Sequence, residues 1–185
     1  MKNTYLISHF PLLSILLFSL SLAIYMESTT IEWFIQVGLL NGMLEFFSET
    51  GITFTLLFLW LALFFMAFSA LKLVAGTMME LSLLLFSKDE DGKALRHIRS
   101  GTWIYLIGGA VSLAFVRMPE GIASVFLVST VLYLAYFLYR MADSLSFVRF
   151  IGMTLFHVSF WCALTAAVGY TVLRLYNGLI NSLPI

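Results

Sequence analysis

Residues 52–86 read ITFTLLFLWLALFFMAFSALKLVAGTMMELSLLLF, with only Lys72 and Glu80 charged. Roughly 20 helical residues rising 1.5 Å each cross a bilayer core of about 30 Å, so this run is a membrane span longer than its membrane. As one helix it would measure about 52 Å, more than even a tilted span needs. Either it continues to Phe86 and projects inward, or it bends near Gly76-Thr77 and leaves the membrane near Lys72. Working outward, four further runs are long enough or nearly so: residues 4–26, 101–117, 121–140 and 150–176. The run 101–117 is marginal and needs Arg117 to snorkel at its end. Pro119, Glu120 and Gly121 then make a tight turn, so 101–117 and 121–140 form a helical hairpin.

The composition agrees with lipid as the solvent. Of the 185 residues, 61% are apolar and 11% charged, and the mean hydropathy is +0.99. Soluble domains carry about 25% charged residues. Ten basic residues balance ten acidic ones, which leaves no net field to draw in nucleic acid. A single cysteine, Cys162, excludes an internal disulfide.

Charge placement orients the chain. Lys2, Lys88, Lys93, Arg96, Arg99, Arg140 and Arg149 all fall on one side when there are five spans. The positive-inside rule makes that side cytoplasmic, with the N-terminus inside and the C-terminus outside. A sixth apolar segment, residues 31–48, carries Glu32, Gln36, Asn41 and Glu45 and is interrupted by Gly38 and Gly42. Counting it as a span would turn Lys88–Arg99 outward, so it is expected to be a broken amphipathic segment on the outer surface. Ser21-Leu22-Ala23 would suit signal-peptide cleavage. The apolar run continues past Ala23, which favours a retained first helix.

Four polar residues embedded in apolar sequence are candidate sites, because intramembrane charge is costly. Lys72 and Glu80 lie two turns apart, too far for a direct pair; headgroup snorkelling of Lys72 is their commoner role. His157 could relay protons if Glu80 approached it, or could bond a hydroxyl such as Ser159 or Thr154 or a neighbouring helix. Arg174, between Tyr170 and Tyr176, could pair with Glu27 or Glu120 or snorkel in an aromatic belt. Tyr133, Tyr136 and Arg140 recur along one helix face and mark its inner interface. Lys93, Arg96, Arg99, Arg140 and Arg149 are expected to contact anionic headgroups.

Other constellations fall short. Ser87–Gly92 starts like a calcium loop, but Ser87 and Ile98 occupy positions that need carboxylates. No second histidine completes a metal site near His157, so no metal and no cofactor is expected. Gly108 with Ser112, and Ala163 with Ala167, have the small-xxx-small spacing of close helix contacts.

The stretches MKNTYLISHFPLLSILLFSLSLA (1–23), FSALKLVAG (68–76), LSLLLFSKDEDG (81–92) and NSLPI (181–185) resemble the YufK family of small membrane proteins from Bacillus and its relatives. The resemblance implies a bacterial cytoplasmic membrane and carries over no site residue. The reading is an all-α, five-span membrane protein with an outer amphipathic segment. Its function is expected to be that of a noncatalytic accessory or interaction protein, contacting lipid and another membrane protein or a second copy. A small oligomeric transporter lined by Lys72, Glu80 and His157 is the alternative.

Overall fold

The computed structural model describes residues 4–87, 99–142 and 145–182. Within them lie six α-helices: α1 (Thr4–Gln36), α2 (Leu39–Leu44), α3 (Glu49–Phe86), α4 (Trp103–Ser112), α5 (Pro119–Ala142) and α6 (Phe147–Ser182). Helices α1, α3, α5 and α6 are each long and apolar enough to cross a membrane. Helix α4 is shorter, and 3-10 turns at Arg99–Thr102 and Leu113–Phe115 extend it at both ends. A 3-10 turn rises about 2.0 Å per residue against 1.5 Å in an α-helix, which stretches this short element towards bilayer thickness. The chain is an all-α polytopic membrane protein. Its exterior bears Phe54, Phe58, Leu84 and Val148, while serines sit in its interior. Lipid can solvate the former but leaves a hydroxyl in need of a partner.

Helix α1 runs further than its apolar residues suggest. Ser28 and Thr29 donate to the Tyr25 carbonyl and Thr30 to that of Met26. These hydroxyls fold back on their own helix instead of ending it, so Ile31–Gln36 belong to α1. The expected segment 31–48 is therefore not one surface element. The break comes at Gly38, whose φ of 73° is left-handed and suits glycine, and only Leu39–Leu44 form a separate helix. Ser48 then caps α3 by accepting from the Gly51 amide at 3.1 Å. Trp60 donates across the resulting α1–α3 hairpin to Thr30 Oγ1 at 3.1 Å.

Helix α3 continues unbroken through Gly76-Thr77 to Phe86. Met79, Leu83 and Phe86 pack on the buried cluster of Phe137, Met141 and Met153. The stretch beyond Lys72 therefore stays in the bundle, because those residues help to build its core.

Two glycines and a set of serines bring α1, α4 and α5 together. A Cβ on Gly109 would lie 2.9 Å from Leu17 Cβ and 3.3 Å from the Ser14 carbonyl; one on Gly108 would collide with Ser129. Ser21 and Ser112 share a hydrogen bond of 2.7 Å across the α1–α4 contact, with both residues fully buried. Phe18, 2% exposed, fills the space above, edge-on to Phe126 at 5.4 Å and tilted against Phe68 at 5.9 Å. The spacing Gly108/Ser112 thus marks an internal contact. Ala163 and Ala167 do not: both are exposed.

The contacts of Gly109 with Ser14 and Leu17, and of Ser112 with Ser21, make α1 and α4 parallel. The α4–α5 turn at residues 116–118 is then level with about Tyr25 of α1. Ser28–Gln36 extend beyond it, Gln36 by about 16 Å, carrying α2 and the start of α3 with them. Helix α6 packs through its first half only, with Gly152 and Phe156 against Phe86. From Cys162 to Gly178 its side chains are exposed, the half-buried Leu164 apart.

Gly109→Val should destabilise the bundle by about 1–3 kcal/mol through overpacking, and Ser112→Ala by about 0.6 kcal/mol, the typical worth of an interhelical hydrogen bond in a membrane. Unfolding in mixed micelles measures both. Equal losses would mean that the hydroxyls, not the backbone approach, hold the seam.

Candidate functional site

Among the described residues, the one candidate that the fold buries is His157, 4% exposed. It lies on the face of α6 that meets α3 and α5. Its Nε2 is 3.0 Å from Ser82 Oγ, and Ser82 is fully buried. The ring meets Phe137 edge-on at 5.2 Å and Phe156 at 5.9 Å. One turn back along α6 is Met153, and one turn beyond Phe137 on α5 is Met141; both are buried in the same cluster as Phe137.

Ser82 Oγ is within hydrogen-bond reach of both the Met79 carbonyl, at 2.8 Å, and His157 Nε2. The serine has one proton to donate, so the imidazole tautomer depends on which of the two takes it. His157 Nδ1 is buried and without a hydrogen-bond partner.

The other embedded residues do not converge on it. Glu80 is exposed; two residues before Ser82, it points to the opposite side of α3. Lys72 is exposed about 15 Å further along α3. The hydroxyl facing His157 belongs to Ser82, not to Ser159 or Thr154, and Thr154 donates to the Phe150 carbonyl. Ser82 was missed because one serine among leucines carries no periodic signal, and its pairing with His157 is non-local.

Arg174 is exposed on the free half of α6, about 26 Å along the helix from His157. Among the described residues it makes no ion pair with Glu27 or Glu120. Tyr136 Oη lies 2.8 Å from Ser100 Oγ and accepts from Arg140 Nε at 3.3 Å, with the Arg140 guanidinium 5.5 Å from the Tyr136 ring. Tyr133 donates to Met79 Sδ at 3.8 Å. The tyrosine stripe therefore ties α5 to the start of α4 and to α3. Arg140 and Arg149 are exposed and Arg99 opens the 3-10 turn. Lys93, Arg96 and most of the loop after Ser87 lie outside the described residues. Among the described residues no three of His, Cys, Asp and Glu gather in one place.

Ser82→Ala should cost about 1 kcal/mol or more, since it strands the buried Nε2 without its hydroxyl partner. Combining it with His157→Phe, which removes both polar ends, should recover most of that loss. Unfolding midpoints of the single and double variants give the comparison, and a simple sum of losses would argue against the pairing.

Comparison with known proteins places this architecture. Residues 27–184 match the family of unknown function DUF5366. Over 185 residues, all of this chain and all of the relative, the sequence is 40% identical to the protein named uncharacterized membrane protein YufK of Bacillus subtilis (strain 168). No solved structure matches. With one match covering most of the chain and another covering all of it, the protein belongs to the DUF5366 family and is a homologue of that Bacillus membrane protein.

Proposed function

We propose that the protein is a noncatalytic accessory protein of the bacterial cytoplasmic membrane, and that its outer hairpin head docks a partner. The observation that carries this reading is the overhang of α1 and α3 past the α4–α5 turn. The overhang exposes Trp33, Phe46 and Phe47, the last two 81% and 63% accessible, among Glu32, Glu45 and Glu49. No basic residue occurs between residues 10 and 71. An exposed aromatic patch edged with one sign of charge suits an interface, and this one favours a partner with basic side chains at its rim.

The noncatalytic reading draws on the His157–Ser82 pair. Both groups are buried away from any substrate, so the pair is not placed to act on one. The transporter reading asks Lys72, Glu80 and His157 to line one route, and their separation on α3 and α6 weighs against it.

Native mass spectrometry of protein gently extracted from its own membrane is expected to find a complex with another polypeptide. The triple variant W33A/F46A/F47A should lose that complex while keeping the bundle's unfolding midpoint. A homo-oligomer alone, or a complex indifferent to those substitutions, would overturn the docking role.

Orientation follows from Lys2, Lys88, Lys93, Arg96, Arg99, Arg140 and Arg149 inside. A reporter fused after Ile185 is expected to label from outside the cell. Labelling from the cytoplasm would put the hairpin head on the wrong side for an outer partner.

A further inference from the structure

At the Arg140–Arg149 end of the bundle one arginine is held in place and the other is not. Arg140 stands exposed in the last turn of α5. Its Nε donates to Tyr136 Oη at 3.3 Å, and its guanidinium carbon lies 5.5 Å from the centre of the Tyr136 ring. Tyr136 is fixed in turn. Its hydroxyl is 2.8 Å from Ser100 Oγ. Its ring packs on the backbone of Gly101, where a Cβ would come within 2.6 Å of Tyr136 Cδ1. The 3-10 turn before α4 thus clamps the ring, and the ring holds the guanidinium. Arg149 is exposed in the first turn of α6. Among the described residues no hydrogen bond, ion pair or ring contact holds it.

What this leaves for a ligand is the end of the Arg140 fork. An arginine donates from Nε and from both Nη atoms. Tyr136 takes the Nε proton, and among the described residues no carboxylate meets either Nη. Parallel N–H bonds from the Nη pair match two oxygens of one phosphate, a geometry that a lysine cannot offer. A side chain already held in position also loses less rotamer freedom when it binds. The neighbours narrow the choice of anion. Tyr139 and Phe147, 73% and 77% accessible, stand at the same end of α5 and α6. A phosphate dissolved in water gains nothing from them. A phospholipid does, because its phosphate lies at headgroup depth and its acyl chains begin beside such side chains.

We propose that the Arg140 guanidinium, positioned by Tyr136, binds the phosphate of one anionic phospholipid at this end of the bundle. Basic residues in general attract anionic headgroups; this site singles out one arginine among several and needs its fork as well as its charge. It is built from the contact between α5 and the start of α4, so it is independent of the docking role of the head and of the chain's orientation.

Native mass spectrometry of the full chain in detergent, titrated with phosphatidylglycerol or phosphatidylcholine, gives an affinity for each bound lipid. The first phosphatidylglycerol is expected to bind about tenfold more tightly than the first phosphatidylcholine, whose own ammonium group offsets its phosphate. Arg140→Gln should weaken that first binding about tenfold. Arg140→Lys, which keeps the charge and loses the fork, should weaken it about threefold. Arg149→Gln should change it by less than about twofold. Tyr136→Phe should weaken binding about threefold in the native chain and not at all in the Arg140→Gln background, whereas a merely structural tyrosine would cost the same in both. Millimolar inorganic phosphate should leave the lipid bound. Equal losses from Arg140→Gln and Arg149→Gln would mean a diffuse basic rim and overturn the site. So would full affinity in Arg140→Lys, an equal cost of Tyr136→Phe in both backgrounds, or no preference for phosphatidylglycerol. Displacement by inorganic phosphate would assign the site to the free anion and overturn the lipid.

Discussion

The bundle depends on how closely α4 can approach α1. Lipid tails are as apolar as leucine, so burying hydrocarbon between helices inside a membrane brings little of the gain it brings in water. What remains is dispersion between well-matched surfaces, and that falls off steeply with distance. Gly109 lets the α4 backbone reach Leu17 and Ser14, and Gly108 admits Ser129 of α5. Helix α4 is short and ends in 3-10 turns, and its other ties run to α5, through Tyr105 to Thr130 and Ser100 to Tyr136. The seam also sets the register between the two hairpins, and with it the height of the α1–α3 head above the α4–α5 turn.

The second core obeys a different constraint. Around Phe137, Met141 and Met153 the helices meet through side chains rather than backbone, and α3, α5 and α6 all contribute. The fixed point there is the His157–Ser82 hydrogen bond. It is the only side-chain hydrogen bond between α3 and α6 among the described residues. His157 Nδ1, buried among aromatic rings, has no hydrogen-bond partner.

The sequence discloses the spans because a membrane imposes length and apolarity directly on consecutive residues. It also discloses Gly108 and Ser112, whose spacing is local. The end of α1 is harder to read. Glu27-Ser28-Thr29-Thr30 looks like a membrane exit, yet its hydroxyls bond the preceding turn and the helix carries on to Gln36. The extent of α3 within the core depends on contacts with Phe137 and Met153, more than 50 residues downstream, and no local feature announces them. His157 stands out by chemistry, but its partner Ser82 looks like any serine in a leucine run. Geometry decides which of the embedded polar residues meet.

Two large surfaces remain exposed, and they differ in kind. The free half of α6 presents Val168, Val172, Leu173 and Leu175, which lipid solvates. Its charge, Arg174, stands between Tyr170 and Tyr176, the aromatic belt of a membrane interface. The head of α1–α3 cannot be explained in the same way. If the α4–α5 turn, with Arg117 and Glu120, sits at the outer interface, then the head lies beyond the hydrocarbon with Trp33, Phe46 and Phe47 still uncovered. Its acids, Glu32, Glu45 and Glu49, would be costly inside the bilayer, and its aromatics are unfavourable in open water. An interface would satisfy both sets of residues at once, which is why the proposed docking role falls to the head rather than to α6.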